Sequence, residues 1–410
     1  MSRHFDVVVV GAGMVGATAA ALLARGGFSV ALVEARQPPV FDPAQPVGLR
    51  VSALSPGSTA ILAEAGAWAE IERVRSCPYR HMQVEDQGNT AVLEFEAPAF
   101  GMERLGTIVE NDLVQSALLG LVGASALVEL FLPDTVESMD TGAQAARLKL
   151  ASGGDIEAQL VLAVDGAESP LRKQFGIRQQ TWDYNQKGLV CVIATSPPNP
   201  GTAWQRFLPG GPLALLPLAD GSSSMVWTRP SDEADRLLAL PDADFRGTLA
   251  VAASGWLDEV LECGPRAAFP LAMRLSERYV SGRLLLLGDA AHVVHPLAGQ
   301  GVNLGLADAA ALVEVLIQAR GTDRDLGSHG LLNRFERWRR SESEVMAGGI
   351  HALRSLFMTP ALAGLRGTGM GWVSRSWVAR ETFLRRAAGQ GRNAPRLARG
   401  ESLQSLLRQP

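Results

Sequence analysis

The chain has 410 residues, a formal net charge of −4, 47% hydrophobic and 20% charged residues, which describes an ordinary globular enzyme of one or two domains. The acidic balance argues against general nucleic-acid binding. Three scattered cysteines, at 77, 191 and 263, make no metal-ligand spacing, so we expect no metal site and a reducing compartment. No charge-free apolar run reaches about 18 residues, and no signal-peptide pattern precedes Phe5, so we expect a cytoplasmic protein.

An apolar strand, a GxGxxG turn, an alanine-rich helix and a second strand follow one another over residues 5–34. In such a unit Gly11 permits the tight turn, Gly13 lets the backbone approach a pyrophosphate, and Gly16 allows the helix to pack closely on the strand. Glu34 ends the second strand, where an acid can bind both ribose hydroxyls. The segment predicts a dinucleotide site that excludes a 2′-phosphate.

A second strand–loop–helix unit covers residues 284–316. Leu284–Leu287 is an apolar strand that ends in Gly288-Asp289, the end of a strand where α/β proteins bind ligands. A glycine-rich loop over residues 295–301 leads into a helix with apolar residues at helical spacing from Val302. The loop directs backbone N–H groups and the positive end of a helix toward the neighbourhood of Asp289, where they would stabilise a ring that becomes anionic. The Asp289 carboxylate would accept hydrogen bonds from a polyol.

Between these units we expect mixed structure. Ser55 and Pro56 open a helix that runs through Ala67, and Gln87-Gly88-Asn89 turns a hairpin between 82–84 and 91–96. A helical period covers Asn111–Leu130, strands cover 136–150 and 160–164, and a second acid–glycine pair follows at Asp165.

From Leu189 to Leu271 the pattern changes to strands and turns, with one helix predicted over Phe245–Leu261. This segment predicts a mostly antiparallel sheet that packs over the nucleotide domain and encloses an apolar pocket. Five large apolar side chains are candidates for its lining, although plain core packing is the alternative for each: Trp204, Phe207, Leu215, Leu216 and Trp227.

The three motifs in this order resemble the group-A flavin monooxygenases with the p-hydroxybenzoate hydroxylase fold. The strings RVSALSPGS, LGTIVENDLVQSALL, DGAESPLR and GDAAHVVHPLAGQGVNLGLADAAAL resemble the ubiquinone-biosynthesis hydroxylases within that group, over residues 5–345. The resemblance implies an α/β fold: a Rossmann-like FAD domain with GxGxxG, DG and GD motifs, an inserted mostly antiparallel substrate sheet and a C-terminal helical tail. The implied domains are 1–75, 105–180 and 275–345 for FAD, 76–104 and 181–274 for substrate, and 346–410 for the tail.

The resemblance also implies the roles of individual residues. FAD is expected to contact Gly11, Gly13, Gly16, Glu34, Arg50, Asn111, Asp165, Arg172, Asp289, Pro296, Gly301, Val302 and Asn303. His295 and Pro296 are the candidate catalytic residues, although a hydrogen-bonded structural histidine is an equal reading of His295. Glu168 departs from the small or amide residue that the family more often has there. No second nucleotide fingerprint is present, which fits a transient NADPH or NADH reductant.

The implied reaction is hydroxylation of a prenylated phenol by O₂ through a C4a-hydroperoxyflavin. The alternatives are hydroxylation or epoxidation of another aromatic or isoprenoid compound, and a non-catalytic FAD-binding member of a quinone-biosynthesis complex. Residues 351–410 carry ten arginines and two acids, a formal charge of +8. This basic, tryptophan-bearing tail is a candidate for contact with the inner membrane surface or with other ubiquinone-biosynthesis proteins. Packing of the tail on the FAD domain is an equal alternative.

Overall fold

The computed structural model describes residues 3–89, 92–295, 301–359 and 363–408, and the side chains of 363–368 are left out of the description. Its first sheet has a parallel core in the order Leu284–Leu286, Asp155–Ala163, Arg3–Val10, Val30–Val33 and Val128–Phe131. Antiparallel additions are Val280–Ser281, Ala146–Leu150 and Val136–Thr141. Continuous apolar runs form this sheet because helices cover both of its faces.

The second sheet is antiparallel apart from one pair. Its order is His292–Val293, Ala267–Ser276, Gln179–Ser196, Ser223–Pro230, Gly211–Pro217, Thr202–Leu208, His81–Asp86 and Val92–Glu96, and Glu259–Cys263 pairs with Gln179–Ser196. Thr202–Leu208 runs parallel to His81–Asp86. A third, small sheet joins Val51–Leu54, Gly106–Glu110 and Cys77–Tyr79.

The helices of the first part of the chain pack mainly on the first sheet. They are Met14–Arg25, Pro56–Ala65, Trp68–Val74, Asn111–Gly123, Pro170–Gln174, Ser231–Ala239 and Asp242–Ala252, of which the last two cover the second sheet. Ser55 caps the second of them by accepting a hydrogen bond from the Ser58 N–H, as predicted. That helix ends at Ala65, because Gly66 adopts a left-handed conformation with φ of 94°.

The later helices are Gly301–Gly321, His329–Met358, Ala363–Arg375, Trp377–Ala387 and Leu403–Leu407, with short 3₁₀ turns at Ala97–Phe100, Gly288–Ala290 and Leu397–Arg399. Gly301–Gly321 has the length and hydropathy to span a membrane, but 83% of its apolar window is buried inside the protein, where it packs as a core helix. His329–Met358 runs through the expected boundary at residue 346. The domain limits stay a prediction.

Three predicted elements were wrong in extent. The helix from Asn111 ends at Gly123, and residues up to Phe131 form the edge strand of the first sheet. The predicted helix Phe245–Leu261 instead begins at Asp242 and ends at Ala252, before Gly255 turns the chain with φ of 88°. Residues 136–150 make two strands around Gly142 rather than one. In each case a glycine interrupts an apolar run whose periodicity alone did not fix the element.

Candidate active site

A cavity of about 630 Å³, here called the main cavity, lies between the first and second sheets. The glycine turn, the third sheet, the start of helix Asn111–Gly123 and the Gly288–Ala290 turn supply one side of it, and the second sheet supplies the other. Its volume suits a cofactor or substrate site. A cavity of about 650 Å³ lies under residues 381–398, but its lining contains none of the three motif glycines of residues 11–16.

The glycine turn fits a bound pyrophosphate. A Cβ on Gly11 would lie 2.3 Å from the Val164 carbonyl oxygen, and Gly11 has φ of 108°. A Cβ on Gly16 would lie 1.9 Å from the Gly11 carbonyl oxygen, whereas a Cβ on Gly13 would meet nothing within 4 Å. Gly13 also begins helix Met14–Arg25 without a side-chain cap, so the helix presents its first N–H groups to the main cavity.

Glu34 lies against the glycine turn rather than in the lining of the main cavity. Its Oε2 accepts a hydrogen bond from the Ala12 N–H at 2.7 Å, and its Oε1 accepts one from the Arg36 N–H at 3.0 Å. Each carboxylate oxygen has a second lone pair free for a ribose hydroxyl. The position at the end of Val30–Val33 is the one that a ribose-binding acid requires.

Arg50 and Asn111 both line the main cavity. The Arg50 guanidinium lies 5.6 Å from the Phe269 ring centroid, and the Asn111 Oδ1 accepts a hydrogen bond from the Ser52 hydroxyl at 2.6 Å. Sequence reasoning missed Gln115, which also lines the cavity and donates from Nε2 to the Ala12 carbonyl at 2.7 Å. Its spacing of four residues from Asn111 on one helix was the available signal.

Asp289 points into the main cavity, and its side chain is exposed there. The side chain is accessible only from within this cavity, so the surrounding protein atoms partly desolvate the carboxylate and raise the pKa of Asp289, while the charges of His292 and Arg50 act in the opposite direction. A carboxylate that lacks its full solvation gains from accepting the hydroxyl donors of a polyol chain. Gly301 and Val302 line the same cavity.

Asp165 and Arg172 lie behind the GD turn. The Asp165 Oδ2 accepts a hydrogen bond from the Leu171 N–H at 3.3 Å, its buried Oδ1 has no partner among the described residues, and burial raises its pKa. Arg172 is buried and donates from Nη1 to the Ala290 carbonyl at 3.1 Å. Arg172 therefore ties the DG segment to the GD turn, and it is not among the residues that line the main cavity.

Asn303 fastens the start of helix Gly301–Gly321 to the Val51–Leu54 strand. Its Oδ1 accepts hydrogen bonds from the Ser55 N–H at 2.9 Å and from the Ser58 hydroxyl at 2.7 Å, and its Nδ2 donates to the Ala53 carbonyl at 2.9 Å. The side chain is buried. Asn303 thus positions the helix end that faces the main cavity.

A buried ionic cluster supports the GD turn from behind, and the part that Arg339 plays in it could not be predicted from a local pattern. Asp308 accepts from Arg339 Nε at 2.7 Å and from the Gly288 N–H at 3.2 Å, and its Oδ2 lies 2.6 Å from His292 Nε2. Burial alone raises the pKa of Asp308, but the charges and hydrogen bonds of His292 and Arg339 outweigh it and lower the pKa. All three side chains are at most 3% exposed.

His295 is also buried, but it lines a narrow gap beside the main cavity rather than the cavity itself. Neither ring nitrogen has a hydrogen-bond partner in the described ranges, and its ring meets Tyr184 edge-on with centroids 5.0 Å apart. Burial, with the nearby charge of Arg354, lowers the pKa of His295 to about 4, so the imidazole is neutral at pH 7. Pro296, Gly299 and Gln300 lie outside the described residues.

The second-sheet wall of the cavity differs from the predicted one. Leu216 lines it, whereas Leu215 and Trp227 are buried on the opposite face with Trp204 packed beside them, and Phe207 stacks on Phe357. Alternation along each strand sends neighbouring residues to opposite faces, so an apolar run alone could not tell which set faced the cavity. The wall consists of Met82, Ala203, Gln205, Pro212, Ala214, Leu216, Val226, Thr228 and Val293.

Comparison with known proteins agrees with this geometry. The chain is similar to ubiquinone hydroxylase UbiL of Rhodospirillum rubrum, at 35% identity over 97% of this chain and 93% of the relative. It is similar to 3-demethoxyubiquinol 3-hydroxylase of Escherichia coli, at 33% identity over 94% and 98% of the two chains. The crystal structure of p-nitrophenol 4-monooxygenase PnpA from Pseudomonas putida has a TM-score of 0.77 at 19% identity, covering 96% of this chain and 100% of that one.

The structural similarity confirms the predicted fold class. Residues 4–346 match the FAD binding domain family, a range that contains all three motifs of the sequence. The glycine turn and the uncapped start of helix Met14–Arg25 fit the pyrophosphate of that cofactor, the Asp289 carboxylate fits its polyol chain, and the helix start at Gly301 and Val302 fits its ring. The chain belongs to the FAD binding domain family, and its cofactor is FAD.

Proposed function

We propose that this chain is an FAD-dependent monooxygenase that hydroxylates the aromatic ring of a prenylated phenol in ubiquinone biosynthesis, with O₂ and NADPH or NADH as co-substrates. One observation carries the proposal: the main cavity joins the glycine turn and Asp289 to a mostly apolar second-sheet wall. The relatives named for ubiquinone hydroxylation match nearly the whole chain. FAD, when bound, supplies the redox chemistry that activates O₂.

The residues of the chain bind FAD and the substrate, position them, and exclude water from the site. Gly11, Gly13 and Gly16 admit the pyrophosphate, Glu34 accepts the ribose hydroxyls, and Asp289 accepts the ribityl hydroxyls. The helix end at Gly301 stabilises negative charge on the ring system. The second-sheet wall contacts the substrate ring, and only its Gln205 and Thr228 carry polar side chains.

His295 is the one described side chain that we propose as a proton acceptor, although it lines the gap beside the main cavity and a pKa of about 4 makes its neutral imidazole a weak base. Replacing His295 with Asn is expected to abolish hydroxylation while FAD remains bound. Retained product formation in His295→Asn would rule out this role.

The main proposal is tested with the purified holoenzyme. A prenylphenol should stimulate NAD(P)H oxidation, and mass spectrometry should find one added oxygen in the aromatic ring. In the source cell, deletion of the gene should cause a prenylphenol that lacks one ring hydroxyl to accumulate. Unchanged quinone intermediates, together with no stimulation by any prenylphenol, would refute the assignment.

We also propose that the exposed face of helices Ala363–Arg375 and Trp377–Ala387 contacts an anionic membrane, where a prenylated substrate dissolves. Trp372 is 65% exposed, Val378 70% and Phe383 50%, and arginines lie between them. Apolar rings flanked by cations suit the interface of an anionic bilayer. We therefore propose that the enzyme is cytoplasmic and binds peripherally to the inner membrane.

Truncation is a poor test of that contact, because Leu397, Leu403 and Leu406 are buried in the core of the first sheet. Substitution of Val378 with Asp, together with Trp372 with Ala, should instead reduce co-sedimentation with phosphatidylglycerol vesicles. Val251→Asp, on a helix away from this face, is the matched control because Val251 is 77% exposed. Equal pelleting of all variants would refute membrane contact through this face.

A further inference from the structure

Two of the three cysteines meet in the second sheet. The Sγ atoms of Cys191 and Cys263 lie 3.3 Å apart, although 72 residues separate them in sequence. Cys191 belongs to strand Gln179–Ser196 and Cys263 to the adjacent strand Glu259–Cys263. Both are free thiols. The side chains therefore already share one space between neighbouring strands, and small side-chain rotations could bring the sulfurs to bonding distance of about 2 Å.

The two thiols differ in access. Cys191 is 1% exposed, whereas Cys263 is partly exposed and lines an open depression of about 430 Å³ with Asp242, Gly264 and Arg266. A small polar reagent can thus reach Cys263 but reaches Cys191 only through it. This asymmetry is the arrangement of an attacking thiol in front of a resolving thiol.

The surroundings of Cys263 favour its thiolate. The hydrogen bond with Cys191 lowers the pKa of Cys263 and outweighs its burial, which raises it; the charges of Arg266 and Arg246 also lower the pKa, whereas that of Asp242 raises it. The same interaction, together with burial, raises the pKa of Cys191. Arg266 is held in place beside Cys263 by hydrogen bonds from its Nη2 to the Leu240 carbonyl at 2.8 Å and to Asp242 at 2.9 Å. The thiolate is the form of cysteine that reacts with peroxides.

The pair is separate from the main cavity. Cys191 packs with Met225, Leu213 and Phe245 in the core between the second sheet and its covering helices. The cavity wall uses the alternate residues of the same strands, among them Ala214 and Val226. Chemistry at the thiols therefore occurs on the opposite face of the sheet from the proposed substrate.

We propose that Cys263 and Cys191 form a peroxide-reactive dithiol site, in which Cys263 is the attacking thiol and Cys191 the resolving one. The Cys263 thiolate attacks hydrogen peroxide, the O–O bond breaks, and hydroxide leaves, so that Cys263 becomes a sulfenic acid. The Cys191 thiol then attacks that sulfur, water leaves, and a Cys191–Cys263 disulfide forms. The two thiols lose two electrons in total, and peroxide is reduced to water. A thiol reductant restores the pair.

The test uses the reduced, full-length holoenzyme with hydrogen peroxide, followed by peptide mapping of all three cysteines. We expect a Cys191–Cys263 disulfide, and faster oxidation of Cys263 than of Cys77, because the thiolate is the form that reacts with peroxide. Cys77 is a reference within the same protein, since burial and the charge of Asp220 raise its pKa.

Two variants assign the roles. In Cys191→Ser, a dimedone probe should trap sulfenic acid at Cys263, and in Cys263→Ser the thiol of Cys191 should stay reduced. Cys77→Ser should form the disulfide as the wild type does. The proposal is overturned if Cys263 reacts no faster than Cys77, or if the wild type forms no linked peptide and Cys191→Ser gives no dimedone adduct. Circular dichroism of each variant separates loss of reactivity from loss of fold.

Discussion

Replacing Arg339 with Met should remove one of the two partners that lower the pKa of Asp308 inside the protein, the other being His292. The Arg339 Nε donates to Asp308 at 2.7 Å, and the two side chains are at most 3% exposed. Loss of one partner of a buried ion pair costs about 3–5 kcal/mol of unfolding free energy, and because His292 stays 2.6 Å from Asp308 we expect the lower end of that range, about 3 kcal/mol. Because Asp308 also accepts the Gly288 N–H, the GD turn should loosen and FAD affinity should fall.

The neighbouring residue provides the control for this measurement. Arg340 lies on the same helix and pairs with Glu344 at 2.8 Å, but both side chains are at least 40% exposed. Arg340→Met should therefore cost less than about 0.5 kcal/mol. Urea unfolding of both variants, with and without added FAD, gives the comparison. Equal stability of the two variants would refute the view that the buried cluster holds the GD turn.

Three further predictions follow from the geometry. Gly16→Ala should prevent the glycine turn from forming, because the added Cβ would lie 1.9 Å from the Gly11 carbonyl oxygen. Gly13→Ala should leave the unfolding free energy unchanged, because Gly13 faces open space, and should weaken FAD binding in a fluorescence titration. Burial raises the pKa of Glu314 from 4.5 to about 7. The protonated carboxyl group therefore favours folding below pH 4.5, and this contribution is lost as the pH rises through 7. The unfolding free energy of Glu314→Gln, measured in urea, should exceed that of the wild type by about 3 kcal/mol at pH 8 and by almost nothing at pH 4. Ala214→Trp should abolish prenylphenol-stimulated NAD(P)H oxidation with FAD bound, whereas Leu215→Ala should mainly cost about 2–5 kcal/mol of stability. Equal effects of Gly16→Ala and Gly13→Ala, or of Ala214→Trp and Leu215→Ala, would contradict the prediction for that pair. A stability gain at pH 4 equal to that at pH 8 would contradict the prediction for Glu314→Gln.

The sequence predicted those parts of the site whose positions depend only on residues that are near one another in the chain. The turn at Gly11, the carboxylate of Asp289 and the helix start at Gly301 each follow a strand or precede a helix within a few residues. Chain connectivity alone places such groups at the ends of parallel strands. The cap at Ser55 was predicted for the same reason, since its partner is three residues away.

The parts that could not be predicted depend on distant partners or on a shift of one residue. The contact of Asn303 with FAD stays a prediction, but the hydrogen bonds of its side chain to Ser55 and Ser58, which lie 248 and 245 residues away in sequence, had no local signal. The choice between Leu215 and Leu216 for the cavity wall depends on strand register, which neighbours in space fix. Arg339 reaches Asp308 across two helices, a contact that no local pattern encodes.

The way in which the first sheet is assembled has a consequence for biosynthesis. Its three adjacent central strands come from Arg3–Val10, Asp155–Ala163 and Leu284–Leu286, and Leu397 and Leu403 complete its core. A nascent chain therefore leaves one edge of strand Arg3–Val10 unpaired until Asp155–Ala163 has been synthesised, and the core of this sheet stays incomplete until residues 284–286 and 397–403 have followed. Long-range pairing of this kind is slow and prone to aggregation. Expression yield should respond more to chaperone supply and to fusions at the carboxyl terminus than to the strength of any single contact.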